Sequence, residues 1–194
     1  RDVRDILAMT ARRVGSDTAT PQGHEHYSWT INGATNWNGG GMHFSNDYGF
    51  GLVDALAAVR LAETWGGGGT SATERSARGV TTVTRAIPDA SSGGVSYAVT
   101  VPAGVAVETI EIGIDIRHAQ RTQLQIEVIS PAGTRNIVLD TPKNPTMNND
   151  YFVWTLTSNA FWGEQSGGTW TVIVRDLVSG TTGTVNSISI TAFG

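Results

Sequence analysis

The chain has 194 residues, no cysteine, 24 glycines, 15% charged residues and a formal net charge of −4. That length suffices for one or two compact domains with a real core. The missing cysteines exclude disulfides and thiolate metal sites, the weakly acidic balance offers no basic footprint for nucleic acid, and no apolar run nears the roughly 20 residues of a helical membrane span.

The opening stretch RDVRDILAMTARRV places Val3, Ile6, Leu7 and Thr10 to Val14 at three- and four-residue spacing, which predicts an amphipathic helix. It is charged throughout, unlike a signal peptide, and starts without Met inside a helical pattern. The expectation is a chain cut from something longer. A polar loop rich in Gly and Asn follows over 15–49. Val53, Leu56, Ala57, Val59, Leu61 and Trp65 then mark a second helix, stopped by a glycine run. Two helices and a long loop cannot enclose a core, so residues 1–65 must pack on something else.

Ser71, within GGGGTSATE, raises the question of a nucleophile. A serine hydrolase needs an acid, a base and backbone donors around a rigidly held hydroxyl. Four glycines before Ser71 and a strand approach after it argue for a linker over 66–79 instead.

The remainder, 80–194, has strand grammar. Alternating or β-branched runs at 80–84, 97–101, 107–116, 124–129, 136–139, 151–156, 169–175 and 184–193 are separated by Pro- and Gly-rich turns. Short strands at this spacing predict an antiparallel sandwich or jelly roll, with Trp154, Trp162 and Trp170 in its core.

Several residues are candidates for chemistry or binding. His24, His26 and His43 share one loop and form a three-imidazole zinc candidate, against a reading as ordinary histidines of a polar loop. His118 reads as a packed loop residue. Asp115, Asp140, Asp150 and Asp176 stand near strand ends, where aspartate caps backbone groups; calcium is the alternative reading at Asp115, Asp150 and Asp176. Trp37, Tyr151 and Phe161 are the aromatics that a self-standing carbohydrate- or protein-binding module would use.

Longer stretches carry a family resemblance. SNDYGFGLVDALAAVRLAETW (45–65) resembles the closing helix of the catalytic domain in kexin- and furin-like subtilases, and RDVRDILAMTARRV the helix before it. WTINGATNWNGGG resembles the loop that connects them. ISPAGTRNIVL (129–139), FWGEQSGGTWTVIVRD (161–176) and GTVNSISITAFG (183–194) resemble the P domain, or homo B domain, that follows. Arg121-Thr122-Gln123-Leu124 departs from the family's Arg-Gly-Asp-Leu and removes a carboxylate beside Asp115, and Ile188 replaces an aromatic.

The resemblance implies a mostly β chain: a jelly-roll P domain over 80–194, a linker over 66–79, and, over 1–65, two helices and a loop from the end of an α/β subtilisin-like catalytic domain. It also implies that no catalytic or substrate-binding residue lies here, since the family's Asp, His and Ser precede the helix at Arg1. The chain is then part of a serine endopeptidase but inactive alone. Its expected partner is the rest of the catalytic domain, with Phe50, Leu52, Trp65 and Val80 near the junction of the two domains. Calcium is expected mainly in the catalytic domain, and the missing cysteines fit a bacterial protein, secreted to the outside or the periplasm.

Overall fold

The structure is a computed structural model and describes residues 1–15, 21, 23–35, 40–140 and 151–194. Helix α1 (Asp2–Thr10) is followed by two short paired strands, β1 (Thr30–Ile31) and β2 (His43–Phe44), and by α2 (Ala55–Glu63). α2 starts where its composition turns to Ala and Leu. The Asp54 carboxylate caps it by accepting from Ala57 N at 2.9 Å, which satisfies one of the orphan amides of the first turn.

Nine strands then build a barrel-like sandwich: β3 (Ser76–Thr81), β4 (Arg85–Ile87), β5 (Val95–Val101), β6 (Thr109–His118), β7 (Leu124–Ile129), β8 (Arg135–Leu139), β9 (Tyr151–Ser158), β10 (Gly168–Asp176) and β11 (Gly183–Phe193). One sheet runs β5-β10-β7-β8 and the other β3-β11-β6-β9, with β4 also on β11; all pairings are antiparallel. The period-2 pattern explains the packing. Ile110, Ile112, Ile114 and Ile116 of β6 point inward and meet Ile126 and Val128 of β7 and Val172 and Val174 of β10 in one buried cluster. Trp170 closes the core, its indole N–H donating to Ser166 O at 2.8 Å.

The two helices and the eight strands expected from sequence are present; β1, β2 and β4 are additional, Trp162 belongs to a cluster outside the barrel core, and four further points differ. The helices are shorter than their apolar periodicity. β3 begins at Ser76, so the last residues of the expected linker already belong to the sheet. Val80 lies on the outer face, 51% exposed, because the inward positions of β3 are the small Ala77 and Gly79. Trp154 is 60% exposed rather than in the core. It sits opposite Ile114 but on β9, the last strand of its sheet, where the opposing sheet does not cover it.

Trp170→Ala is expected to cost about 3–5 kcal/mol of unfolding free energy, whereas Val80→Thr should stay within about 0.5 kcal/mol. Urea unfolding followed by circular dichroism separates the two.

Candidate interdomain interface

The N-terminal segment meets the barrel along one continuous contact, and the loop between β9 and β10 is its centre. Phe161 turns into the barrel and packs edge-on against Trp170, ring centres 5.1 Å apart. Its neighbour Trp162 turns the opposite way and packs edge-on against Phe50 at 5.4 Å, with Ala8 and Met42 completing a second small cluster. Arg4 of α1 stacks over the Trp162 ring at 4.9 Å. Gly163, at φ 83°, supplies the left-handed turn after Trp162.

Beneath this aromatic contact lies a polar one. Asn32 is buried, and its side-chain capacity is fully used, the amide N–H groups across the junction and the oxygen within the N-terminal segment. Its Nδ2 donates to Ala160 O at 3.1 Å and Trp162 O at 2.8 Å, while Oδ1 accepts from Met42 N at 2.7 Å and Ala34 N at 3.1 Å. Gly33 N donates to both Thr134 Oγ1 (2.9 Å) and Glu164 Oε1 (2.8 Å). Thr134 in turn donates to Glu164 Oε1. Glycine is required at position 33 by approach, since a Cβ there would lie 2.5 Å from Ala132 Cβ in the β7–β8 turn.

Further along, Asn46 Nδ2 donates to Ile137 O at 2.8 Å. Asn136 Nδ2 donates to Asn46 Oδ1 at 2.7 Å, and Ser158 Oγ to Asn136 Oδ1 at 2.9 Å. The Tyr27 hydroxyl donates to Asp140 Oδ2 at 2.9 Å; burial first, and then this bond, push its pKa up to about 12. At the other end, Glu108 holds Arg1 and Arg4 of α1, while its own N–H donates to Phe193 O at 2.7 Å. The linker is tied to the same corner: Gly69 N donates to Asp2 Oδ1 at 3.3 Å, and Arg75 N to Gly194 O at 2.7 Å. An interface so thoroughly hydrogen-bonded under an aromatic cap fixes orientation as well as contact.

Of the residues expected at the junction, Phe50 stands in the Trp162 cluster. Leu52 has its side chain 53% exposed and joins the structure through backbone bonds with Arg12 (2.9 and 2.8 Å). Trp65 is half-buried at the end of α2, and Val80 faces outward on β3. Ser71 lies in an exposed single turn of 3-10 helix, Ser71–Thr73, capped by Thr70 and Thr73. That turn, rather than a loose tether, is what the glycine run leads into. Asn32, Gly33, Thr134 and Glu164 were not expected at the junction; the Asn-Gly pair stood only within the stretch resembling the family's connecting loop, and its partners lie a hundred or more residues away.

The metal candidates are scattered. His43 Nε2–H donates to Phe50 O at 2.8 Å, and burial holds its pKa low. His26 Nδ1 stands 3.5 Å from Asp47. Asp115 accepts from Asn186 Nδ2 at 2.8 Å. Asp176 is fully buried, bound to His118 Nε2 at 3.0 Å and Val178 N at 3.1 Å. Asp150 and Trp37 lie outside the described residues, as does the Tyr151 side chain. Among the described residues no three His, Asp or Glu side chains are placed to share a metal ion. Phe161, a candidate sugar-binding aromatic, is fully buried and unavailable to a ligand.

Comparison with known proteins addresses the whole arrangement. Residues 107–192 match the family model of the proprotein convertase P-domain. Over 93% of its length the chain is 32% identical to the Aeromonas extracellular serine protease of Aeromonas sobria, of which it spans 32%. Over 92% it is 30% identical to rat proprotein convertase subtilisin/kexin type 6, of which it spans 18%. The crystal structure of the serine protease of Aeromonas sobria superposes on the entire chain with a TM-score of 0.80 at 26% identity, the match covering 40% of that structure.

Asn32→Ala strands two buried carbonyls and two amides, at about 1–3 kcal/mol for an unsatisfied buried group. The variant should unfold at lower urea concentration than the parent, with proteolytic nicking between residues 1–65 and the barrel appearing first.

Proposed function

Since the chain belongs to the kexin- and furin-like subtilisin-family serine proteases, holding their P domain and the segment before it, we propose that it completes and stabilises a secreted serine endopeptidase and does not hydrolyse peptides alone. The observation that carries this reading is where the apolar faces of the helices point. Val3 of α1 is 72% exposed, Leu56 and Val59 of α2 are 64% and 60% exposed, and Val53 beside them 55%. An amphipathic helix normally turns such a face to a core. Here the barrel side is hydrogen-bonded and the opposite side is bare, which is the pattern of a segment waiting for a second apolar layer.

That layer is the rest of the catalytic domain. The P domain then grips residues 1–65 through Trp162 and Asn32, and residues 1–65 present the exposed apolar stripe to the remainder of the protease. Stability passes from barrel to active site through this segment, without any barrel residue touching substrate. The relative from Aeromonas sobria is named as extracellular, and this reading takes the whole protein to act outside the cell; no helix among the described residues is long and apolar enough to cross a membrane. Calcium, in this reading, belongs to the catalytic domain, because Asp176 already serves His118 and a backbone amide.

The test compares this chain with a longer one that includes the upstream catalytic domain. The longer chain should cleave peptides, and Leu56→Asp with Val59→Asp should lower its yield of active enzyme several-fold. The chain of residues 1–194 should be inactive, with or without Ser71→Ala. Covalent labelling of Ser71 by a serine-directed probe would contradict the proposal.

A further inference from the structure

On the α1 side, the junction with the barrel contains a carboxylate that its neighbours do not satisfy. Arg1 and Arg4 both bond the Glu108 carboxylate, one guanidinium on each oxygen. Asp5 lies in the same turn of α1 with its side chain only 14% exposed. Its Oδ1 is buried with no hydrogen-bond partner, and Arg4 Nε stands 3.9 Å away, beyond hydrogen-bond range. The charges acting on Asp5 are Glu108 from the barrel, then Arg4, Arg1 and the amino terminus; α2 contributes none of them.

Two carboxylates therefore share two guanidiniums already committed to one of them. An ionised Asp5 leaves a desolvated oxygen beside a like charge, and both conditions favour the neutral acid. We propose that Asp5 and Glu108 form an acid-tightened latch, in which docking of α1 on the barrel takes up one proton on the Asp5 carboxyl while Glu108 keeps both arginines. The neutral acid sheds the repulsion from Glu108 and turns one oxygen into a donor.

The direction of the shift agrees: burial, and then the charge of Glu108, hold the Asp5 carboxyl above the ordinary aspartate range. The docked form thus holds this proton more firmly than the unfolded chain does. Its stabilising contribution grows as pH falls through the docked-state titration and is lost as pH rises through it. That sense is opposite to the behaviour of an aspartate held by a salt bridge. The latch rests on the chain's own interface, so it stands or falls separately from the protease reading.

Carboxyl-carbon NMR titration of the 194-residue chain reads it directly. Asp5 should titrate above an ordinary aspartate, and Glu108→Gln should move that titration downward by removing the like charge and freeing the arginines. Asp5→Asn supplies the second measurement and does not depend on Glu108→Gln folding. The parent's urea midpoint should gain on that of the variant as pH falls from about 7 into the ordinary aspartate range at about 4. Asp5 titrating at or below the ordinary value, no response to Glu108→Gln in a folded variant, or a midpoint difference independent of pH would overturn the proposal.

Discussion

Phe161 and Trp162 leave one loop in opposite directions, and the two halves of the molecule are joined through that divergence. Phe161 is part of the barrel core, so the loop cannot shift without disturbing Trp170. Trp162 is thereby presented at a set position to Phe50, Met42, Ala8 and Arg4. A buried tryptophan carries one of the largest apolar areas of any side chain, worth about 3–5 kcal/mol on truncation. The carbonyls that the loop exposes at Ala160 and Trp162 are the ones Asn32 satisfies. Packing and hydrogen bonding at the junction thus have one structural origin.

The two sides of the N-terminal segment are chemically distinct. Toward the barrel, the polar groups of Asn32, Gly33 and Asn46 are met by specific partners. Toward the outside, α1 and α2 show uncovered aliphatic side chains. The first pattern favours one orientation over others, because a buried amide in the wrong place is costly. The second is non-directional and contributes area. The barrel thus sets the orientation of residues 1–65 and leaves Val3, Val53, Leu56 and Val59 uncovered on their far side.

Much of the barrel was legible in the sequence because alternation reports which face is buried: Ile110 to Ile116 on β6 are the clearest case. β3 was misplaced because its inward residues are Ala77 and Gly79, which give no hydrophobic period, while Val80 outside them does. β4, at three residues, is too short for any period. Alternation also assigned Trp154 the phase of a core residue without showing that its strand lies at the sheet's end. The interface was legible only in part. Phe50 and the Trp-Gly-Glu stretch stood out through family resemblance, whereas Asn32 to Trp162 and Gly33 to Glu164 pair across about 130 residues, and no local pattern encodes such contacts. The exposed faces of α1 and α2 looked, in the sequence, like ordinary core-facing stripes.

The central claim is that Trp162 makes residues 1–65 and the barrel one cooperative unit. Native-state hydrogen exchange at the Ile6 and Ala8 amides of α1 measures this most directly. The account predicts clear protection of these amides in the parent chain, collapsing in Trp162→Ala while the amides of β6 and β10 remain protected. Unprotected α1 amides in the parent, or protection unchanged by Trp162→Ala, would contradict it.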